Sequence, residues 1–189
     1  MYFDSHAHYD DERFDDDRNE LLASFHDEGI ENVVNSSSDI ASSKASVALT
    51  EKYPFFYASV GVHPHEVEKM TEQDLLELET LSKHEKVVAI GEIGLDFYYD
   101  LSPRDMQRYW FKRQLELAER LDMPIIVHSR DAAQECFDII KASGVRKGVI
   151  HCYSGSAQMA KDYIDMGFYI GIGGSLTFKN NKKTVEVVE

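Results

Sequence analysis

Short apolar runs rich in Val, Ile and aromatic residues recur along the chain, each followed by a longer amphipathic stretch. The runs cover residues 2–6, 31–36, 55–62, 87–92, 125–128, 148–152 and 168–173. Their composition reads as short strands of a buried parallel sheet. The stretches between them carry helical spacing. Residues 15–28 place Leu21, Leu22 and Phe25 on one face, and Gly29 stops the helix. Thr71-x-x-Asp74 and Ser102-x-x-Asp105 both resemble capping boxes, and Pro103 suits a first helical turn. Beyond it, Met106, Trp110, Leu117 and Leu121 recur at helical spacing and predict a core-facing stripe.

Such α/β alternation fits a doubly wound sheet or a (β/α)8 TIM barrel. No Gly-x-Gly-x-x-Gly follows the first strand, which weighs against a dinucleotide-binding sheet. Polar groups gather at the predicted strand C-termini, where barrel enzymes build their sites. The barrel is therefore the expected fold. Seven βα units are visible, and residues 180–189 read as one more helix. The expectation is a single domain over residues 1–189, C-terminally incomplete and stopping before an eighth strand.

Composition narrows the partners. Of the 189 residues, 43% are hydrophobic and 29% charged, and the net charge is −14 with no basic block. A broad phosphate-gripping surface is thereby disfavoured. Any action on nucleic acid needs a local positive centre such as a bound metal. Cys136 and Cys152 imply no disulfide framework. Nothing reads as a signal peptide or a membrane-spanning run, so the expected location is the cytoplasm, with no membrane partner.

The candidate chemistry sits at the strand ends. His6 and His8, two apart, share one face of the first strand and suit a single cation. His63, His65, His128 and His151 also lie at or just past strand ends, whereas His26 and His84 fall in or beside helices and read as solvent-facing. Alternation groups Val88, Ile90 and Glu92 on one face, and a carboxylate buried there needs a partner. His6, His8, Glu92, His128 and His151 are the expected metal ligands. Five ligands suggest two cations, with Glu92 bridging through its two oxygens and serving as the catalytic carboxylate. Such a pair activates water for in-line attack on phosphorus or a carbonyl.

Other residues have plainer readings beside the functional one. His63, His65 and Arg130 are candidate phosphate or leaving-group contacts, although Arg130 also suits an ion pair with Asp131 or Glu135. Asp4 and Asp96 are candidates to hold a ligand histidine in orientation, with Asp96 in the loop after the fourth strand. Gly171 to Gly174 fit a tight turn or a phosphate approach. Cys152 reads as packing, and Asp15-Asp16-Asp17 as a helix N-terminus.

Several motifs together resemble the TatD-type metal-dependent deoxyribonucleases, a branch of the amidohydrolase-like barrels. They are Phe3-Asp4-Ser5-His6-Ala7-His8, Gly61-Val62-His63-Pro64-His65, Gly91-Glu92-Ile93-Gly94-Leu95-Asp96, Ile126-Val127-His128-Ser129-Arg130, His151-Cys152-Tyr153-Ser154-Gly155 and Gly171-Ile172-Gly173-Gly174. The resemblance implies that His6, His8 and Glu92 bind one ion, and that Glu92, His128 and His151 bind the other. It implies Mg, Mn or Zn as cofactors and DNA ends or single strands as substrate, cut exonucleolytically. The family carries a further aspartate in a Glu-Thr-Asp-like motif after the eighth strand, and these residues do not include it. The expectation is weakened or absent activity. Two other readings remain: an amide, ester or lactone hydrolase on a similar barrel, and a noncatalytic remnant. Several such amidohydrolases bridge their metals through a modified lysine on the fourth strand. Here Lys86 lies at the opposite end of that strand from Glu92, which favours the nuclease branch.

Overall fold

The computed structural model describes residues 2–189. A parallel sheet runs in simple sequence order through β1 (Tyr2–Ala7), β2 (Ile30–Asn35), β3 (Phe56–Val60), β4 (Val87–Asp96), β5 (Ile125–Arg130), β6 (Gly148–Ile150) and β7 (Phe168–Ile170). Helices return the chain between strands: α1 (Arg18–Ser24), α2 (Ile40–Lys52), α3 (Glu72–Leu81), α4 (Arg104–Arg120), α5 (Ala133–Ser143) and α6 (Ala157–Asp165). Then α7 (Lys182–Val188) follows β7. This is the expected TIM-barrel-like arrangement, incomplete, with β1 and β7 each paired on one side only among the described residues. None of the helices is long and apolar enough to cross a membrane.

Burial follows the sequence pattern. The main core lies between the sheet and its helices, where Ile90, Ile93, Leu95, Ile125 and Val127 meet Trp110, Phe111, Leu115 and Leu117 of α4. A second cluster seats Leu22, Phe25, Val33, Leu49 and Phe56 under α1 and α2. The inner face is thinner. Val34, Ala89 and Ile126 are buried there, but Phe3, Val149 and Tyr169 border an open cavity of about 520 Å³.

Several boundaries differ from expectation, each for a tertiary reason. β4 continues to Asp96, because Gly94 at φ +148° lets the strand close on β5, where an added Cβ would stand 1.9 Å from the His128 carbonyl oxygen. The helix expected over 15–28 is shorter and is preceded by a 3₁₀ turn at Glu12–Phe14. Thr71 and Asp74 form the expected capping box of α3. Ser102 does not cap α4. Its hydroxyl donates to the His65 carbonyl at 2.7 Å and accepts from the Glu68 N–H at 3.2 Å, tying two rim loops together.

Candidate metal centre

Glu92 leaves β4 at the C-terminal rim with only 3% of its surface exposed. Its backbone N–H donates to the Ser37 carbonyl at 2.8 Å. Buried hydroxyls brace the same floor: Ser37 Oγ donates to the Ser59 carbonyl at 2.7 Å, and Ser59 Oγ to the Gly91 carbonyl at 2.8 Å. These bonds fix the strand end that aims the carboxylate.

The two carboxylate oxygens face different histidines. Oε2 lies 3.2 Å from His6 Nε2 and 3.7 Å from His8 Nε2. Oε1 lies 3.0 Å from His128 Nδ1 and 3.9 Å from His63 Nε2. His151 stacks on His6 with ring centroids 3.4 Å apart. One donor atom each from His6, Glu92 and His151 falls within 4.8 Å of the others, as do donors from His63, His65 and His128. The structure thus gathers all five expected ligands around one carboxylate. It sets His151 beside His6, whereas the resemblance pairs it with His128, and it brings His63 and His65 to the His128 side.

Burial sets the protonation of this cluster. Burial pushes Glu92 up, but hydrogen bonds from His128 and His6 outweigh it and hold the carboxyl well below its usual range. His63 is pushed down to about 3 by burial, with the neighbouring His128 and His65 adding to the effect against the attraction of Glu92. His151 falls to about 4 through burial and the adjacent His6. His128 is raised, because bonds to Glu92 and Asp96 overcome its burial. An ionised Glu92 with His63 and His151 held neutral is a donor set that a divalent transition metal takes as ligands. A further sign fits that use. His6 Nδ1 is buried without a partner, and its Nε2 faces His8 Nε2 at 2.9 Å, a poor environment for two imidazoles alone.

Asp96 is more deeply engaged than expected, and it ends the strand instead of sitting in the loop. Oδ2 lies 2.9 Å from both His65 Nε2 and His128 Nε2. Oδ1 accepts from the N–H groups of Tyr98 at 3.0 Å and Tyr99 at 2.8 Å. Burial raises its pKa, but the Tyr99 N–H and the two histidines win and bring it to about 2. Asp4, by contrast, accepts from the His6 backbone N–H at 3.1 Å and so braces the strand end. Arg130 makes no ion pair with Asp131 or Glu135 among the described residues; Glu135 instead pairs with Arg108. The Arg130 guanidinium stands over Tyr98 and Tyr99, 4.3 and 4.6 Å from their ring centres.

The remaining candidates resolve more simply. Gly171 spends its N–H on the Ile150 carbonyl and its own carbonyl on the Tyr153 N–H, continuing the β6–β7 ladder one step past the strands. Cys152 is exposed at φ +44°, so it is not packing. Two supporting residues were not expected. Gln107 Oε1 accepts from the Asp96 N–H at 2.9 Å. Gln114 Oε1 accepts from the Val62 N–H at 2.7 Å and its Nε2 donates to the Val62 carbonyl at 3.0 Å. Both glutamines are buried on α4. Their one sequence signal is polar side chains seven apart on the face that carries Trp110, Phe111 and Leu117.

Comparison with known proteins agrees with this picture. Residues 3–189 match the family described as TatD related DNase. Over 191 residues the chain is 42% identical to the uncharacterized metal-dependent hydrolase YabD of Bacillus subtilis, covering 100% of this chain and 75% of that protein. It is 33% identical to YjjV of Escherichia coli, covering 99% and 73%. The crystal structure of YjjV superposes with a TM-score of 0.92. A relative from Cronobacter sakazakii named 3'-5' ssDNA/RNA exonuclease TatD is 31% identical, covering 91% of this chain and 66% of its own length. The chain therefore spans about two thirds to three quarters of these relatives. Since the family match runs from residue 3 through residue 189, the chain belongs to the TatD-related DNase family of metal-dependent hydrolases.

Proposed function

We propose that residues 1–189 form a single TatD-like barrel domain that hydrolyses phosphodiester bonds at single-stranded nucleic-acid ends. The observation that carries this is Glu92, a buried carboxylate whose two oxygens serve separate histidine groups. His6, His8, His151 and one Glu92 oxygen would hold one divalent cation, and the other oxygen with His128 and His63 a second. Of Mg, Mn and Zn, such a set of imidazole and carboxylate donors suits Zn and Mn better than Mg, which prefers oxygen ligands. Bound there, the ions would supply Lewis acidity toward water and the phosphoryl oxygens.

The chain's own side chains do the rest. Glu92, already ionised, orients the histidines on both sides of it. Asp96 fixes the Nε2 edges of His65 and His128, leaving His128 Nδ1 toward Glu92. Arg130, two residues beyond His128, presents unpaired N–H donors at the rim for a phosphate. The rim offers Glu92 and Asp96 as carboxylates, and Asp96 is fully engaged, so turnover by these 189 residues is expected to be slow. Support for nucleic acid as the substrate comes from the name borne by the Cronobacter relative.

The test is a 5′-labelled single-stranded oligonucleotide incubated with chelator-treated protein, with and without added Mn²⁺. Stepwise shortening that depends on Mn²⁺ is expected, with a loss of about a hundredfold or more in Glu92→Gln. Metal-dependent turnover of an amide or lactone panel without shortening would overturn the reading. So would a protein that retains no divalent ion by elemental analysis.

A further inference from the structure

A net charge of −14 leaves little electrostatic hold on a polyanion, so a nucleic-acid strand at this rim needs another grip. The β4–α4 connection carries one. After Asp96 and Phe97, Tyr98 and Tyr99 stand 58% and 53% exposed, meeting edge to face with ring centres 4.9 Å apart, so each offers a separate face to a base. Exposed pairs of large aromatics are costly to leave in water, and recur where bases stack. Arg130 reaches over both rings. Arg13, Arg18, Arg104, Arg108, Arg113 and Arg120 all pair with carboxylates, and Arg146 donates to carbonyl oxygens. Arg130 alone among the described arginines has only the two aromatic faces.

The platform is also in fixed register with the centre. One oxygen of Asp96 receives the Tyr98 and Tyr99 N–H groups, and the other receives His65 and His128. His65 and Tyr99 rings meet edge to face at 5.6 Å. A single buried carboxylate therefore positions the aromatic pair and the histidines together.

We infer that Tyr98, Tyr99 and Arg130 form a base-stacking platform that admits the terminal nucleobase of a single strand beside the metal centre. This rests on the nucleic-acid reading above and adds to it the residues that select the end. A base inside a duplex cannot present its face, so the platform favours unstacked ends. Stacking ignores base identity, so selection by sequence is weak.

The test is binding of an oligothymidylate with phosphorothioate linkages and a terminal 2-aminopurine, in Mn²⁺, followed by anisotropy and by 2-aminopurine emission. The native protein is expected to quench the emission on binding, and to bind an abasic-ended strand about tenfold more weakly. Tyr98→Ala with Tyr99→Ala is expected to lose the quench and the abasic discrimination together, with binding weakened about tenfold. Tyr98→Phe with Tyr99→Phe keeps both, since the π faces remain. Equal binding and quench in the alanine pair would overturn the platform while leaving the hydrolase reading intact. Quenched binding by a native protein that leaves the same strand uncut in Mn²⁺ when its linkages are ordinary phosphodiesters would do the reverse. No binding at all would remove both.

Discussion

The centre of the sheet and its flanks are built to different standards, and the candidate site straddles them. β4 runs ten residues and pairs with β5 at five positions, with one register shift between Ile90 and Ile93, and its apolar residues meet α4. Ile90, Ile93, Leu95, Ile125 and Val127 are fully buried. At the flanks β7 has three residues and β1 pairs irregularly with β2, while Phe3 and Tyr169 are 61% and 78% exposed. Glu92, Asp96 and His128 arise from the centre, and His6, His8 and His151 from the flanks. Packing and backbone bonds hold the acids. The flanking imidazoles meet the centre through Glu92 Oε2, which lies 3.2 Å from His6 Nε2, and otherwise through one another, as in the stack of His6 on His151. The carboxylates are thus the preorganised half of the site, and the flanks the half that a bound ligand must order.

The most severe way to break this comparison is by truncating side chains. Ile125→Ala is expected to cost about 3 kcal/mol, because the deletion leaves a cavity that a packed core fills poorly. Tyr169→Ala is expected to change stability by about 0.5 kcal/mol or less. Urea denaturation of both variants checks this, and equal losses would mean the flanks are as tightly built as the centre.

Metal addition sharpens it with a slightly smaller effect. An ion held only by the folded chain stabilises it by about 2.7 kcal/mol at a hundred times its dissociation constant. The share of that gain that comes from the ion beside His6 should be lost in His6→Ala, and the share from the ion beside His128 kept. Amide exchange should slow at β1 and the β6–α6 connection more than in β4 and β5. Protection that rises equally across the sheet would show that the flanks were already ordered.

The same division explains what could be read from the sequence. Strands were legible because β-branched runs end in the histidines and the glutamate. The fold class followed from their alternation with helices, and Thr71 capped its helix through partners three residues away. Features that depend on distant partners were not legible. Ser102 looked like a cap until the His65 carbonyl claimed its hydroxyl. The extension of β4 to Asp96 depends on Gly94 closing against β5. The inward face of α2 is not legible in the pattern, because it buries Ser43 and Ser46 where an apolar stripe is sought. Gln107 and Gln114 bond backbone groups that only the fold brings near. The stacking of His151 on His6 joins side chains 145 residues apart in sequence, a relation carried by no local pattern.

The gentlest probe leaves the fold intact and compares one thiol from each region. Cys136 lies on α5 against the centre, fully buried, its Sγ donating to the His128 carbonyl at 3.9 Å, and burial pushes its thiol up to about 12. At pH 8 roughly one such group in ten thousand is thiolate, and the thiolate is the reactive form. Cys152 is exposed on the turn after β6, beside His151. A disulfide reagent such as Ellman's should therefore titrate one thiol promptly in the native protein and the second only after denaturant is added. Raising the pH toward 10 should leave the slow thiol slow, since its charged form remains scarce there and the core still excludes the reagent. Metal should retard the fast thiol by ordering the turn that carries it, and leave the slow one unchanged. If both thiols react together in the native state, α5 opens as readily as the flank, and the contrast between a rigid centre and a ligand-ordered edge does not hold.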